Sequence, residues 1–331
     1  MRPIFTFALI GCTVAVIAAT ALRANDSVAE AAAGGLVLKQ TRDIDMVSED
    51  LYVSADEIRV RYVFRNRAPR DISVTVAFPL PDRDLSQLEY GDIAWPGDFV
   101  TRVDGRSVRM THRRRAVRGG VDHTALLEGL GVPIGVGEVG AASEAIERLR
   151  PQDQQRLVRA GLANPVGEGP NRAFEAQWTV TEAYHWEQVF PAGRDLIVEH
   201  RYRPGTGGSA GTGFGHAEYL ASDFGRGQIA RYCIDQPFLA AIDRLARRSG
   251  GEGYLPMTEQ WISYVLTTGA NWRSPIGDFR LVVDKGDPRN LVSFCGEGVR
   301  RISPTQFEMR RRNWRPTRDL HVLILRPYSS E

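Results

Sequence analysis

The chain is nearly without lysine: of its 42 basic residues only Lys39 and Lys285 are lysines, and the other cations are arginines. Cysteine is scarce too, three in 331 residues, with no Cys-x-x-Cys pair to suggest a catalytic redox site. No phosphate-binding loop, nucleotide fingerprint or EF-hand spacing occurs, so the usual signals of nucleotide and calcium chemistry are missing. Net charge is missing as well. Two of the 42 basic residues, Arg2 and Arg23, and none of the 40 acidic ones lie in residues 1–24, so the rest of the chain is formally neutral. A neutral globule lacks the electrostatic footprint that dominates nucleic-acid binding.

What is present begins with an apolar run from Ile4 to Leu22, preceded by Arg2 and followed by Arg23-Ala24. A basic start, an apolar middle and a small-residue exit describe a secretory signal peptide, with cleavage expected after Ala24 and a periplasmic destination. The alternatives are an uncleaved membrane anchor and a lipoprotein signal ending at Cys12, against which the apolar run continues well past that cysteine. After cleavage no further membrane span is expected. Cys233 and Cys295 remain, and an even pair in an oxidising compartment implies one disulfide. A loop of this length would add about 4 kcal/mol in the chain-entropy account.

Glu57 to Asp82 is the clearest pattern. Ile58, Val60, Tyr62 and Phe64 alternate with Arg59, Arg61 and Arg65, and Ile72, Val74, Val76 and Phe78 resume the apolar face after a proline-containing turn. This predicts an antiparallel hairpin with one wet face. Asp104-Gly105 predicts a second hairpin with a type I′ turn. Residues 121–165 change to helical period and predict a small helical insertion, in which Pro151 opens a helix and Gly161 ends it. Tyr184 to Tyr202 echoes the first pair, and the echo suggests two layers of one antiparallel sandwich. Residues 205–228, with seven glycines from Gly205 to Gly225, predict a linker or mobile loop. Beyond it, Asp235 can cap a helix carrying Phe238, Ile242 and Leu245, followed by further strands.

The expected fold is therefore mainly β within an α+β class. A β-sandwich-like domain spans 25–204 with its insertion at 121–165, and a smaller disulfide-linked α+β domain spans 229–331. The phrases Ser48-Glu49-Asp50-Leu51-Tyr52, Val76-Ala77-Phe78-Pro79-Leu80-Pro81, Trp186-Glu187-Gln188-Val189-Phe190-Pro191, His200-Arg201-Tyr202-Arg203-Pro204 and Tyr232-Cys233-Ile234-Asp235 stand in this order. The chain thereby resembles a family of exported bacterial proteins known as domain-of-unknown-function family 4424. The resemblance implies export and a β-rich fold, and it supplies no catalytic residues.

Several constellations have residue types that could carry chemistry. His185, Glu187 and Glu199 share the parity opposite the apolar face and could meet on adjacent strands as a metal site, with zinc the suited ion. That pattern supports the alternative of a periplasmic metal-dependent hydrolase using His185 and Glu187, with His200 or His216 as further ligands. His200 shares parity with Val198 and Tyr202, the pattern of a hydrogen-bonded core histidine. The string Gly207-Gly208-Ser209-Ala210-Gly211 matches a serine-hydrolase elbow but has no strand before it and no helix after it in the pattern. Trp95 and Trp272 sit in loop sequence and are candidates for exposed recognition, as are Arg113, Arg114 and Arg115 in an arginine-rich stretch from 102 to 118. The leading reading is a non-enzymatic binding or envelope-assembly module with no cofactor, meeting an envelope protein or glycan. Alkylation of the denatured, unreduced protein is expected to label neither Cys233 nor Cys295; labelling of both by mass spectrometry rules the disulfide out.

Overall fold

Along the segment Ile58–Asn66 the residues Ile58, Val60, Tyr62 and Phe64 are buried while Arg59 and Arg61 between them are exposed, so the alternation becomes two faces of a strand. The computed structural model describes residues 27–32, 35–87, 97–169, 172–248 and 255–328. The expected leader, Cys12 and Trp95 lie outside the described residues.

In chain order the first strands are β1 (Ser27–Ala32), β2 (Gly35–Lys39), β3 (Ile44–Val53), β4 (Ile58–Asn66), β5 (Ile72–Pro79), β6 (Arg83–Asp84), β7 (Gly97–Val103), β8 (Arg106–Ser107), β9 (Thr111–Arg118) and β10 (Val121–Asp122). Helices α1 (Thr124–Gly129), α2 (Val139–Glu147) and α3 (Pro151–Arg159) follow, then β11 (Ala163–Val166), β12 (Ala173–Ala176), β13 (Thr179–Phe190), β14 (Asp195–Arg203) and β15 (Thr206–Ser209). The rest comprises α4 (Ala217–Ala221), α5 (Asp223–Tyr232), α6 (Gln236–Arg248), β16 (Met257–Tyr264), β17 (Ile276–Asp284), β18 (Leu291–Phe294), β19 (Arg300–Arg301), β20 (Gln306–Trp314) and β21 (Leu320–Pro327).

An eight-stranded sheet runs β19-β20-β17-β3-β4-β14-β7-β8. A second sheet runs β10-β9-β13-β5-β1-β2 with β6 beside β13, and a third runs β15-β16-β21-β18. One core joins all three: Tyr62 and Leu51 of the large sheet, Phe78 and Trp186 of the second, and Tyr264 and Val322 of the third pack in a single buried cluster. Tyr62 and Tyr264 share a hydrogen bond of 2.8 Å between their hydroxyls across it, which satisfies two buried polar groups at once. The large sheet thus has an inner face against the core and an outer face of charged residues. A second core holds the helical segment, with Leu127, Ile146 and Leu157 around Trp178, whose indole donates to the Ile134 carbonyl at 3.1 Å. The third core packs α5 and α6 on β21, and Asp235 caps α6 by accepting from the Phe238 amide at 2.8 Å.

Three expectations change. First, β4 and β5 do not form a hairpin. β4 pairs with β3 and β14 in the large sheet, and β5 pairs with β13 and β1 in the second. β13 and β14 likewise part into different sheets. Each pair crosses between layers, because parity fixes which face is apolar but says nothing of the partner. Second, the glycine-rich stretch is irregular only in part: it holds β15, α4 and the first half of α5, with turns and bends over 210–216 between β15 and α4. A Cβ on Gly208 would lie 2.6 Å from the Glu259 carbonyl oxygen, and one on Gly225 would strike the Tyr219 carbonyl, so these glycines serve close backbone approach. Third, the strands beyond residue 229 do not all stand apart: β17 inserts between β3, parallel, and β20 in the large sheet. Cys233 and Cys295 are bonded, tying the end of α5 to the end of β18. The Asp104-Gly105 turn has the expected form, with positive φ at both residues between paired β7 and β8.

Both layer crossings meet at Asn66, which is 1% exposed. Its amide nitrogen donates to the Arg70 carbonyl at 2.8 Å and to the Phe190 carbonyl at 2.9 Å, while its side-chain oxygen accepts from the Ala68 amide at 2.9 Å. Replacing it by alanine leaves these backbone groups without their partner, so Asn66→Ala is expected to cost about 2–4 kcal/mol in urea unfolding. A loss under about 0.5 kcal/mol would show that the corner does not depend on it.

Candidate functional site

The outer face of the large sheet is organised by register. Arg280 on β17 stands opposite Asp50 on β3, Asp50 opposite Arg61 on β4, Arg61 opposite Glu199 on β14, and Glu199 opposite Arg102 on β7. The neighbouring row places Tyr52 opposite Arg59, Arg59 opposite Arg201, and Arg201 opposite Val100. These residues line a cleft of about 600 Å³, the size of a small-molecule site.

Charge is unequally satisfied along it. Glu308 on β20 is 5% exposed and binds three guanidiniums, from Arg310, Arg280 and Arg300, which hold its carboxyl down at about 2. Arg280 also donates to Asp50 at 3.1 Å. Arg59 and Arg201 both pair with Glu57, and Arg59 lies 4.4 Å over the Tyr52 ring. Arg61 approaches Glu199 only to 3.8 Å. Arg102 makes no ion pair among the described residues. Among the residues that line the cleft, the five guanidiniums of Arg59, Arg61, Arg102, Arg201 and Arg280 stand against the two carboxylates of Asp50 and Glu199, and the least engaged of the five are Arg61 and Arg102. An arginine fork in a partly walled cleft is a donor set for a carboxylate or phosphate.

The expected metal trio does not assemble. His185 and Glu187 lie on the outer face of the second sheet, where Glu187 accepts from Thr75, whereas Glu199 lies on the outer face of the large sheet. The core separates them. No group of three His, Cys, Asp or Glu side chains placed to hold a metal occurs among the described residues. His200 is 2% exposed and shares a 2.8 Å hydrogen bond with Thr101 inside the sandwich. Trp272 is 2% exposed, packed on Phe64 with ring centroids 4.4 Å apart, so it is a core residue and not a recognition surface. Ser209 ends β15 at the sheet edge, so a strand does precede it, yet no helix begins until Ala217 and no nucleophile elbow forms.

The arginine triplet is split by the same alternation that built the strands. Arg113 is exposed, while Arg114 turns inward to Glu182 and also donates to Glu138 at 3.0 Å. Arg115 reaches Asp122 at 3.8 Å. The sequence patterns did show Arg59 and Arg61 on a wet face. They could not show that Arg102, Arg201 and Arg280, from distant segments, share it.

The family described as "Domain of unknown function (DUF4424)" matches residues 24–323. The chain belongs to it. No curated protein matches the sequence. Among solved structures the chain is similar to a Legionella pneumophila subsp. pneumophila str. Philadelphia 1 protein described as a "putative nutrient binding protein", with 15% identity and a TM-score of 0.41. That likeness covers 86% of this chain and 68% of the other. Among the described residues no helix is long and apolar enough to cross a membrane.

Glu182 is 6% exposed, and burial raises its carboxyl from an ordinary 4.5 to about 7, opposed by the Arg114 hydrogen bond. A group raised on folding contributes stability that is full below its unfolded value and is lost as pH rises through the folded one. Stability from Glu182 therefore falls across the window from 4.5 to about 7, by up to about 3 kcal/mol. His112 and His321 are lowered by burial and act in the opposite sense, so the comparison must be with a variant. Glu182→Gln is expected to gain on the wild type as pH rises through this window in urea unfolding. A difference that stays level from pH 4.5 to 7 contradicts the assignment.

Proposed function

We propose that the protein is an exported binding module of the cell envelope whose binding surface is the arginine-lined cleft of the eight-stranded sheet, and that its ligand is anionic. Export is supported by the leader-like N-terminus and by a disulfide, a bond that persists in oxidising compartments. The observation that carries the reading is the unspent cationic capacity at one end of a concave site: Arg61 held only at 3.8 Å from Glu199, and Arg102 beyond it. Half-buried sheets do carry charged outer faces for solubility, but an even mixture of signs serves that purpose, and here guanidiniums exceed carboxylates. The carboxylates that line the cleft, Asp50 and Glu199, each stand opposite guanidiniums, so capture of an anion is the chemistry this lining supports best.

Isothermal titration of the mature protein with citrate, glucuronate and inorganic phosphate tests this. At least one is expected to bind, with affinity falling about tenfold in the Arg61→Gln/Arg102→Gln variant and weakening with added salt. Both side chains are exposed, so the variant is expected to keep the wild-type melting temperature. Absence of binding by all three anions, or equal binding by the variant, would overturn the reading.

A further inference from the structure

The cleft does not stop at Arg280. A second depression of about 290 Å³ shares Asp50, Arg61 and Arg280 with it, and a third of about 400 Å³ shares Asp278 and Arg312 with the second. The three are contiguous through these shared residues: the first crosses the sheet from Arg102 to Arg280, and the other two continue from it along β3 and β17 toward Asp45 and Pro275. From Arg280 the cross-strand row reads Arg280, Asp50, Arg61, Glu199, Arg102: a guanidinium on every second strand with a carboxylate between. Neighbouring strands lie about 4.8 Å apart, so the cationic period is about 10 Å and the three arginines span about 19 Å.

We infer that the cleft binds a linear acidic polysaccharide carrying one carboxylate per two sugar rings. This rests on the reading that the cleft takes an anion, and it names the class. The period matches the advance of two linked pyranose rings. At Arg61 and Arg102 a carboxylate meets a planar fork, at Arg280 it meets the guanidinium nitrogen left over from the bonds to Glu308 and Asp50, and between arginines the sugar hydroxyls donate to Asp50 and Glu199. Val100, 42% exposed beside this row, offers an apolar contact for the C–H face of a ring. A uniformly charged polymer, whether nucleic acid or polyphosphate, fits poorly, because every second anion would face Asp50 or Glu199. A single small anion would use one fork and leave the rest of the row idle.

The test is titration of the mature protein with oligosaccharides that alternate glucuronate with N-acetylglucosamine, of two, four, six and eight sugars. The comparison ligands are N-acetylglucosamine oligomers of the same lengths, glucuronate alone and polyphosphate. Affinity is expected to rise about tenfold or more from two to six sugars and then level, since three arginines meet three carboxylates. Neutral oligomers are expected not to bind. Arg61→Gln and Arg102→Gln should each weaken the six-sugar ligand several-fold and the two-sugar ligand less. Arg280→Gln is a third probe, but Arg280 also bonds Glu308, so the two exposed positions decide. If glucuronate alone binds as well as eight sugars, the polysaccharide inference fails while the anion cleft stands. Tighter binding of polyphosphate than of the alternating oligomers overturns the spacing argument. If no acidic ligand of any kind binds, both readings fall.

Discussion

The structure depends on a corner. Two consecutive strands, β4 and β5, leave one layer for the other, and β13 and β14 do the same in reverse. Both crossings must turn within a few residues while burying their backbone groups. Asn66 supplies the polar partners at that point, since its side chain reaches the Arg70 and Phe190 carbonyls and the Ala68 amide, and its own carbonyl accepts from Gly193. Buried backbone groups that lack partners are costly, so one amide side chain that serves both crossings lets the layers close without a long loop. With the layers closed, Ile58, Val60, Tyr62 and Phe64 face the core, and Arg59 and Arg61 have no alternative but the outer face.

This division explains what could be read beforehand. The parity of each strand was legible, and so were the inward residues, the Asp104-Gly105 turn and the Asp235 cap, because each is a local property of a few neighbouring residues. Strand partners were not, since period 2 is the same whether Phe78 pairs beside Phe64 or packs across from it. The glycines of residues 205–228 misled for a related reason. A glycine needed for flexibility and a glycine needed for close approach look alike until the neighbouring backbone, here Glu259 or Tyr219, is in place.

The candidate site follows the same logic. Arg59 and Arg61 announce a wet face by their spacing, yet the row from Arg280 to Arg102 draws one residue from each of five segments spread over the chain. Such a constellation has no spacing signature. The metal reading erred in the other direction: His185, Glu187 and Glu199 share a parity, but they lie on strands that point away from each other across the core. Trp272 was misplaced because its loop sequence hides a ring that fills the space beside Phe64.

The insertion of β17 has a consequence for how the protein comes to exist. Arg280 and its bond to Asp50 belong to a strand made late, which slips in parallel beside one made early. Until that strand arrives, β3 presents an open edge, and unpaired edges invite wrong partners. Pairing across such sequence distance is slow, since the loop must close before any contact is gained. A chain emerging N-terminus first therefore completes the arginine row only after nearly all of it has been delivered. A fragment cut short before β17 would carry Arg61 and Arg102 yet lack one end of the row. The surface is a property of the finished molecule alone.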